Sequence, residues 1–379
     1  MHDVIVVGAG CVGSYMAGLM AESGLDVLVA EKGCAAGDNV NCSGIIGTEA
    51  FDKLSLPRGS IQSYLREIEV FGPAGRSVIY RPKKMWANIV DRAAFDREMA
   101  ETAKEKGAIY RFGSIVEKVD RDGDGVSVTV RSGTETLMFR AQSCVLATGF
   151  GFKFIKEAGL GEIKNYIQGV QLVAKMEDVD RVEIYLGNNV APGSFAWVVP
   201  CGEGWCKVGL LAAKRGGDLI RRLVESPSMN GRMKFWDGEI RASLIPLESL
   251  PKTAGDRLLV VGEAAGQVKI TTAGGIYYGL LCAKIAAGVL EKAFRVGDFS
   301  EGTLREYDAK WRMLLELELR SGKALRKIFS KMSDRHIDSM IHLARADGIV
   351  PLVNRYFRFD WHAPLISALM NNQLKSLAG

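Results

Sequence analysis

The residues whose types and spacing promise chemistry begin at Gly8-Ala9-Gly10-Cys11-Val12-Gly13, a GxGxxG. In such a run the first glycine permits a tight turn and the second lets the backbone approach a pyrophosphate. The third lets a helix pack close to a sheet. The amides of Cys11, Val12 and Gly13 then face phosphates at a helix N-terminus. Glu31 ends the next apolar run, where a ribose diol needs an acceptor, so an unphosphorylated ribose suits the site better than a 2′-phosphate. The plainer reading of Glu31 and Lys32 is a solvated pair at a strand end. A second glycine-rich stretch, Gly262 to Gly266 followed by Thr272 to Ile276, suits the far end of a long dinucleotide. Phe195, Trp197 and Val199 alternate along one strand face, as an apolar wall against a ligand or as ordinary core.

These residues require particular elements around them. Asp3 to Val7 reads as a buried parallel strand, Val12 to Ser23 as a helix, and Asp26 to Ala30 as a second strand, which completes a βαβ unit. A helix is expected from Arg92, with Phe95, Met99 and Ala103 on one face, followed by hairpin strands Ser114–Val119, Val126–Arg131 and Thr136–Arg140 and a strand Ser143–Ala147. Strands Glu67–Phe71, Ser77–Arg81, Gly169–Lys175, Arg181–Leu186, Phe195–Val199 and Trp205–Ala212 come from two separated stretches and suggest one inserted sheet. The nucleotide fold returns at Arg257–Val261, followed by a helix Thr272–Phe294, and the chain beyond Gly297 reads as helical. The expected partition is a discontinuous nucleotide domain (1–60, 86–165, 246–299), a substrate β-sheet domain (61–85, 166–245) and a helical region (300–379).

Composition narrows the class. With 47% hydrophobic and 25% charged residues the chain is globular, and a net charge of +5 from 49 basic and 44 acidic side chains does not call for nucleic acid. Seven unpaired-looking cysteines and no signal peptide point to a reducing, cytoplasmic setting. No window reaches the roughly 18 apolar residues of a bilayer span, so at most a peripheral place at the inner membrane face is expected. Cys201 and Cys206 flank a hairpin turn without further ligands, so no metal site is expected, and no histidine is given a catalytic role.

The GxGxxG with Glu31, the Asp91-Arg92-x-x-Phe95-Asp96-Arg97-Glu98-Met99 segment, Ala147-Thr148-Gly149 and the Gly262–Gly266 and Thr272–Ile276 block together resemble the geranylgeranyl reductase family, along nearly the whole chain. These are flavoproteins of the para-hydroxybenzoate hydroxylase fold. The resemblance implies an α/β protein: an FAD-binding Rossmann-like domain with an inserted antiparallel β-sheet substrate domain and a C-terminal helical region. It further implies FAD as cofactor, held by Gly8, Gly10, Cys11, Val12 and Gly13, with Glu31 and Lys32 at the adenosine ribose. Arg92 reaches the phosphate–ribityl arm in this reading, though it is equally placed to pair with Asp96. Val116, Ala147 and Gly149 lie at the adenine, and Glu263 at the ribityl or pyrophosphate region. Gly274, Gly275 and Ile276 present amides to the isoalloxazine from a helix that starts near Ala273.

Asn41-Cys42-Ser43-Gly44 resembles the family's Cys-x-Gly segment beside the flavin, so Cys42, Ser43 and Gly44 border the ring. Cys42 there is a proton donor for alkene reduction, or a small side chain that merely fits. Phe195, Trp197 and Val199 match the family's substrate-facing aromatic motif, with Phe for Tyr and Val for Phe, while Glu263 stands where the family usually has Asp. The implied activity is saturation of isoprenoid C=C bonds by hydride from reduced flavin. The alternatives are an aromatic monooxygenase or an electron-transfer flavoprotein of the same fold. The implied partners are an isoprenoid lipid and an electron donor, either NAD(P)H or a ferredoxin-like protein. The basic, amphipathic stretch near Arg320–Lys331 either covers the substrate domain or touches a membrane.

Overall fold

The structure is a computed structural model that describes residues 1–38, 40–82, 84–151, 153–345 and 350–369. The apolar run His2–Val7 forms a strand between two parallel neighbours, Val27–Ala30 on one side and Glu135–Leu146 on the other. Val4, Ile5 and Val6 are fully buried, as a strand covered on both faces requires. Outside these lie Leu258–Val260, parallel to Glu135–Leu146, and Ile109–Arg111, parallel to Val27–Ala30. The two strands expected at Thr136–Arg140 and Ser143–Ala147 are one 12-residue strand. Its first half pairs antiparallel with Gly125–Ser132 and its second half parallel with His2–Val7.

Helices Cys11–Glu22, Arg92–Glu105 and Ile276–Val296 cover one face of this sheet, and Glu301–Phe329 packs beyond them. Their shared core holds Met16, Met20, Phe51, Phe95, Tyr278, Tyr307 and Trp311. A buried network ties the last helix to the second glycine turn. Gln267 Nε2 donates to Tyr307 Oη at 2.6 Å, and Tyr307 Oη donates to the Val260 carbonyl at 2.8 Å. The Gly262 amide donates to Gln267 Oε1 at 2.7 Å.

A second sheet runs Met233–Trp236, Tyr166–Met176, Trp205–Ala212, Phe195–Pro200, Val182–Leu186, Ile68–Phe71 and Ser77–Tyr80, with Arg241–Pro246 also paired to Tyr166–Met176. Ile68–Phe71 joins Val182–Leu186 in parallel, so strands from both separated stretches do share one sheet. A small third sheet, Ile45–Gly47, Ala87–Val90 and Ile61–Tyr64, bridges the two. Its strands are three or four residues long, too short to leave a periodic signal.

The expected helix Thr272–Phe294 is instead Ile276–Val296. Ala273 has φ +58° and donates its amide to the Lys269 carbonyl, so residues 271–275 form a turn that a helix cannot traverse. The cradle offered at that end is therefore a strained turn capped by Gly275, and the amides of Gly274 and Gly275 belong to the turn.

Candidate functional site

The first glycine turn is built by close approach. Gly8 has φ +104°, and a Cβ there would lie 2.5 Å from the Ala147 carbonyl oxygen; one on Gly13 would lie 2.0 Å from that of Gly8. Only hydrogen atoms fit at both positions, so the start of Cys11–Glu22 is pressed against the turn and against Ala147. Gly10, the N-cap residue, lacks a side-chain cap, and its Cβ position meets nothing within 4 Å. The backbone at Gly10 thus borders open space, which leaves room for an anion beside the helix N-terminus.

Glu31 sits where expected, yet its carboxylate is already oriented. It accepts the Ala9 amide at Oε2 and the Gly33 amide at Oε1, both at 2.7 Å. Lys32 is exposed. The Gly113 and Ser114 amides donate to the Gly33 and Glu31 carbonyls at 2.8 Å, so the strand that carries Val116 runs out beside Glu31. Gly149, at φ +64°, continues the Ala147 turn on the same side.

The second glycine turn meets the first at one side chain. A Cβ on Gly262 would sit 3.1 Å from Val12 Cγ1, and one on Gly279 would sit 2.7 Å from Val12 Cγ2. Val12 thus wedges between the turn Gly262–Ala265 and the helix Ile276–Val296, bringing together two motifs far apart in the chain.

Around this junction lies a charged cluster. Asp91 caps the helix Arg92–Glu105 by accepting the amides of Ala93 at 2.9 Å and Ala94 at 3.1 Å. Arg92, with its side chain 12% exposed, donates Nε and Nη2 to Asp96 at 3.0–3.1 Å, while Nη2 lies 3.7 Å from Cys11 Sγ. The pairing with Asp96 is therefore present, and Arg92 acts on Glu263 as well. Burial pushes the Glu263 carboxyl up to about 7, with the Arg92 charge opposing the rise. Burial likewise raises Asp96 against the pull of Arg92, and lifts the Cys11 thiol to about 12. Asp96 is a group that sequence reading left as a mere partner, yet it also meets the Cys11 backbone amide.

Cys42, Ser43 and Gly44 bridge the two large sheets. The Gly44 amide donates to Cys42 Sγ at 3.4 Å, and Asn41 Nδ2 reaches the Gly169 carbonyl and Ser243 Oγ. Gln171 Nε2 donates to the Cys42 carbonyl at 3.3 Å, and Lys207 Nζ to the Ser43 carbonyl at 3.3 Å. A cleft of about 260 Å³ opens here, lined by Cys42, Arg92, Gln171, Lys207 and Arg241 among others.

Trp197 Nε1 donates to Gln171 Oε1 at 3.3 Å, so one glutamine links the cysteine segment to the aromatic strand. Gln171 was missed from sequence. Its only signal is an amide set in the apolar strand Tyr166–Met176. Phe195 and Trp197 lie 6.0 Å apart and pack with Ile167, Leu211, Ile270, Ala273 and Leu319, beside the turn before Ile276. Val199 is 0% exposed and packs on Leu65, Ala87, Ile89 and Val182, a cluster that Trp197 also joins.

The segment Phe359–His362 near the chain's end docks on this region. Lys269 Nζ pairs with Asp360 Oδ1 at 2.7 Å, both side chains buried, and lies 4.6 Å from the centre of the Phe359 ring. Lys269 also abuts Gly274. Trp361 packs on Tyr277 and Tyr278. His362 bonds Thr271 Oγ1 at 2.6 Å, and burial, with the nearby Lys269 charge, depresses its pKa to about 4. Among the described residues no cluster could hold a metal ion, and all seven cysteines are free.

No protein-family model matches the chain. It is 32% identical over 352 residues to a digeranylgeranylglycerophospholipid reductase of Methanocaldococcus jannaschii, which covers 90% of each chain. It is 30% identical over 368 residues to digeranylgeranylglycerophospholipid reductase 2 of Methanothermobacter thermautotrophicus, over 90% of this chain and 91% of that one. In fold it is similar to a geranylgeranyl bacteriochlorophyll reductase-like protein of Thermoplasma acidophilum, with a TM-score of 0.84, 21% identity and 98% of both chains covered. A halogenase in complex with FAD has the same fold at a TM-score of 0.70 and 14% identity, over 96% of this chain and 87% of that one. With that identity sustained across nine-tenths of both sequences, the chain belongs to the digeranylgeranylglycerophospholipid reductase family.

Proposed function

We propose that this protein is an FAD-dependent reductase that saturates C=C bonds in an isoprenoid lipid of the geranylgeranyl type. The observation that carries the reading is Val12 wedged between the turn Gly262–Ala265 and Gly279 of the helix Ile276–Val296, which sets the helix N-terminus at Cys11 against the second glycine stretch. The residues fit FAD. The uncapped Gly10 amide end suits a pyrophosphate, Glu31 is already aimed by two amides, and Glu263 and Arg92 adjoin the middle of the cradle. Bound there, the reduced cofactor would supply a hydride to one alkene carbon.

The chain's own residues account for the rest. Phe195 and Trp197 give an apolar surface beside Ala273, against which a prenyl chain replaces water. Gln171 fixes the Trp197 ring and the Cys42 carbonyl at once. Cys42 Sγ accepts the Gly44 amide, which orients the sulfur and leaves its own proton to give to the second alkene carbon. Hydride and proton together add two hydrogens per bond.

The test is anaerobic reduction of the flavin-loaded protein with dithionite, then addition of geranylgeranyl phospholipid. Reoxidation with a two-hydrogen mass gain per bond is expected. A protein that takes up no FAD, or whose flavin is reoxidised productively only by oxygen with a hydroxylated aromatic product, overturns the reading.

A further inference from the structure

The helix Glu301–Phe329 has two apolar faces, and the protein uses only one. Leu304, Tyr307, Trp311 and Leu315 are fully buried against the nucleotide fold. Leu319 joins the Phe195 and Trp197 cluster, and Gly322 approaches Ile270 so closely that a Cβ would lie 3.2 Å from its side chain. Arg326 reaches inward to the Ile270 carbonyl. On the outer side Met313 is 80% exposed, Leu317 64% and Ile328 50%, with Leu314 and Leu325 also exposed. Met313, Leu314 and Leu317 form one apolar patch and Leu325 and Ile328 a second on the same side of the helix, with Ser321 and Ala324 between them, over about 22 Å at 1.5 Å per residue. Such a face of large apolar side chains in water is costly unless something covers it.

Its flank says what covers it. Lys323 and Lys327 lie one turn apart along one edge, and Lys331 follows just past the helix end, all exposed. Among the described residues none of the three has a carboxylate within 4.0 Å. Arg320 shares the edge and pairs only loosely with Glu316 at 3.5 Å. A second copy laid antiparallel on this face would set this cationic edge against itself. An anionic bilayer instead takes the apolar patches into its acyl boundary and the lysines onto its headgroups. No described helix is long and apolar enough to cross a membrane.

We propose that the outer face of Glu301–Phe329 is the surface by which the protein lies on an anionic membrane, parallel to the bilayer plane. This rests on the lipid-reductase reading and extends it. The opposite face of the same helix carries Leu319 into the aromatic wall, so a prenyl chain leaving the bilayer has only about one helix diameter, some 10 Å, to travel.

The test uses the full-length flavoprotein in flotation assays. The vesicles are phosphatidylcholine alone or phosphatidylcholine with phosphatidylglycerol, at low and high salt. The wild type should float with the anionic vesicles, and less so at high salt. Met313→Glu with Leu317→Glu should lower partitioning at least about tenfold, and Lys323→Glu with Lys327→Glu by a similar factor in low salt only. Both variants should keep full turnover of a detergent-solubilised prenyl substrate, since all four side chains are exposed. A wild type that turns over that substrate but floats with neither vesicle overturns the surface and leaves the reductase reading intact. A protein that floats yet reduces no prenyl lipid overturns the reductase reading alone. Equal flotation with neutral vesicles, or a wild-type dimer that the Met313→Glu/Leu317→Glu variant splits, also overturns the surface.

Discussion

At the scale of single residues the consequential feature is a sulfur whose orientation is set by its own loop. The Gly44 amide donates to Cys42 Sγ, and the loop is held from the far sheet by Gln171 and Lys207. A thiol acting as proton donor is used in the transition state, so its loss should fall on kcat. Cys42→Ala is expected to lower kcat roughly 100-fold with little change in KM or in bound flavin, and Cys42→Ser to recover part of the loss. Steady-state kinetics with flavin quantified by absorbance decides it. Unchanged kcat in Cys42→Ala would reduce the residue to a small side chain that fits, the plainer possibility that the sequence leaves open.

At the scale of elements the terminal segment around Phe359–His362 acts as a strap across the glycine turn. Lys269 is its fastening: it pairs with Asp360 and abuts Gly274, so the strap and the turn that precedes Ile276 share one buried cation. Such a pair adds little over a well-packed apolar alternative, but cutting one side strands a buried charge. Asp360→Ala is expected to lower unfolding free energy by about 3–5 kcal/mol, read from urea midpoints at constant m-value. It should also loosen FAD, with a weaker apparent Kd in fluorescence titration, because the turn loses its support. A stability loss under about 1 kcal/mol would mean that Lys269 finds water or another acceptor at once.

At the scale of the whole molecule, stability against pH carries two opposed contributions. The Glu263 carboxyl is raised from 4.5 to about 7, so the folded state binds the extra proton, and this contribution is lost as pH rises through about 7. His362 is lowered from 6.5 to about 4, so the unfolded state binds the extra proton, and that contribution is lost as pH falls toward about 4. The two windows overlap and partly cancel in the wild type. In the flavin-free protein, Glu263→Gln should therefore steepen the gain in stability between pH 5 and about 6.5, and His362→Gln should reveal a decline from pH 5 to about 7. Each changes the slope in opposite sense, by up to about 3 kcal/mol across the window. Melting temperatures across that range measure it, and parallel curves for all three proteins would refute both shifts.

Local pattern alone determined the nucleotide half of this protein. The run from Asp3, the GxGxxG and Glu31 form a self-contained βαβ unit, because glycine geometry and apolar periodicity act over neighbouring residues. The second glycine stretch was legible too, although the left-handed Ala273 moved its helix start to Ile276. What only the tertiary structure decided are matters of long-range approach. That Gln171 joins Cys42 to Trp197, that Val199 is fully buried while Phe195 and Trp197 reach Ala273, and that Lys269 waits for Asp360 all depend on sheet register and on which elements meet. Alternation can say that Phe195, Trp197 and Val199 share a strand face, but what lies opposite each one is set by packing against elements remote in the chain.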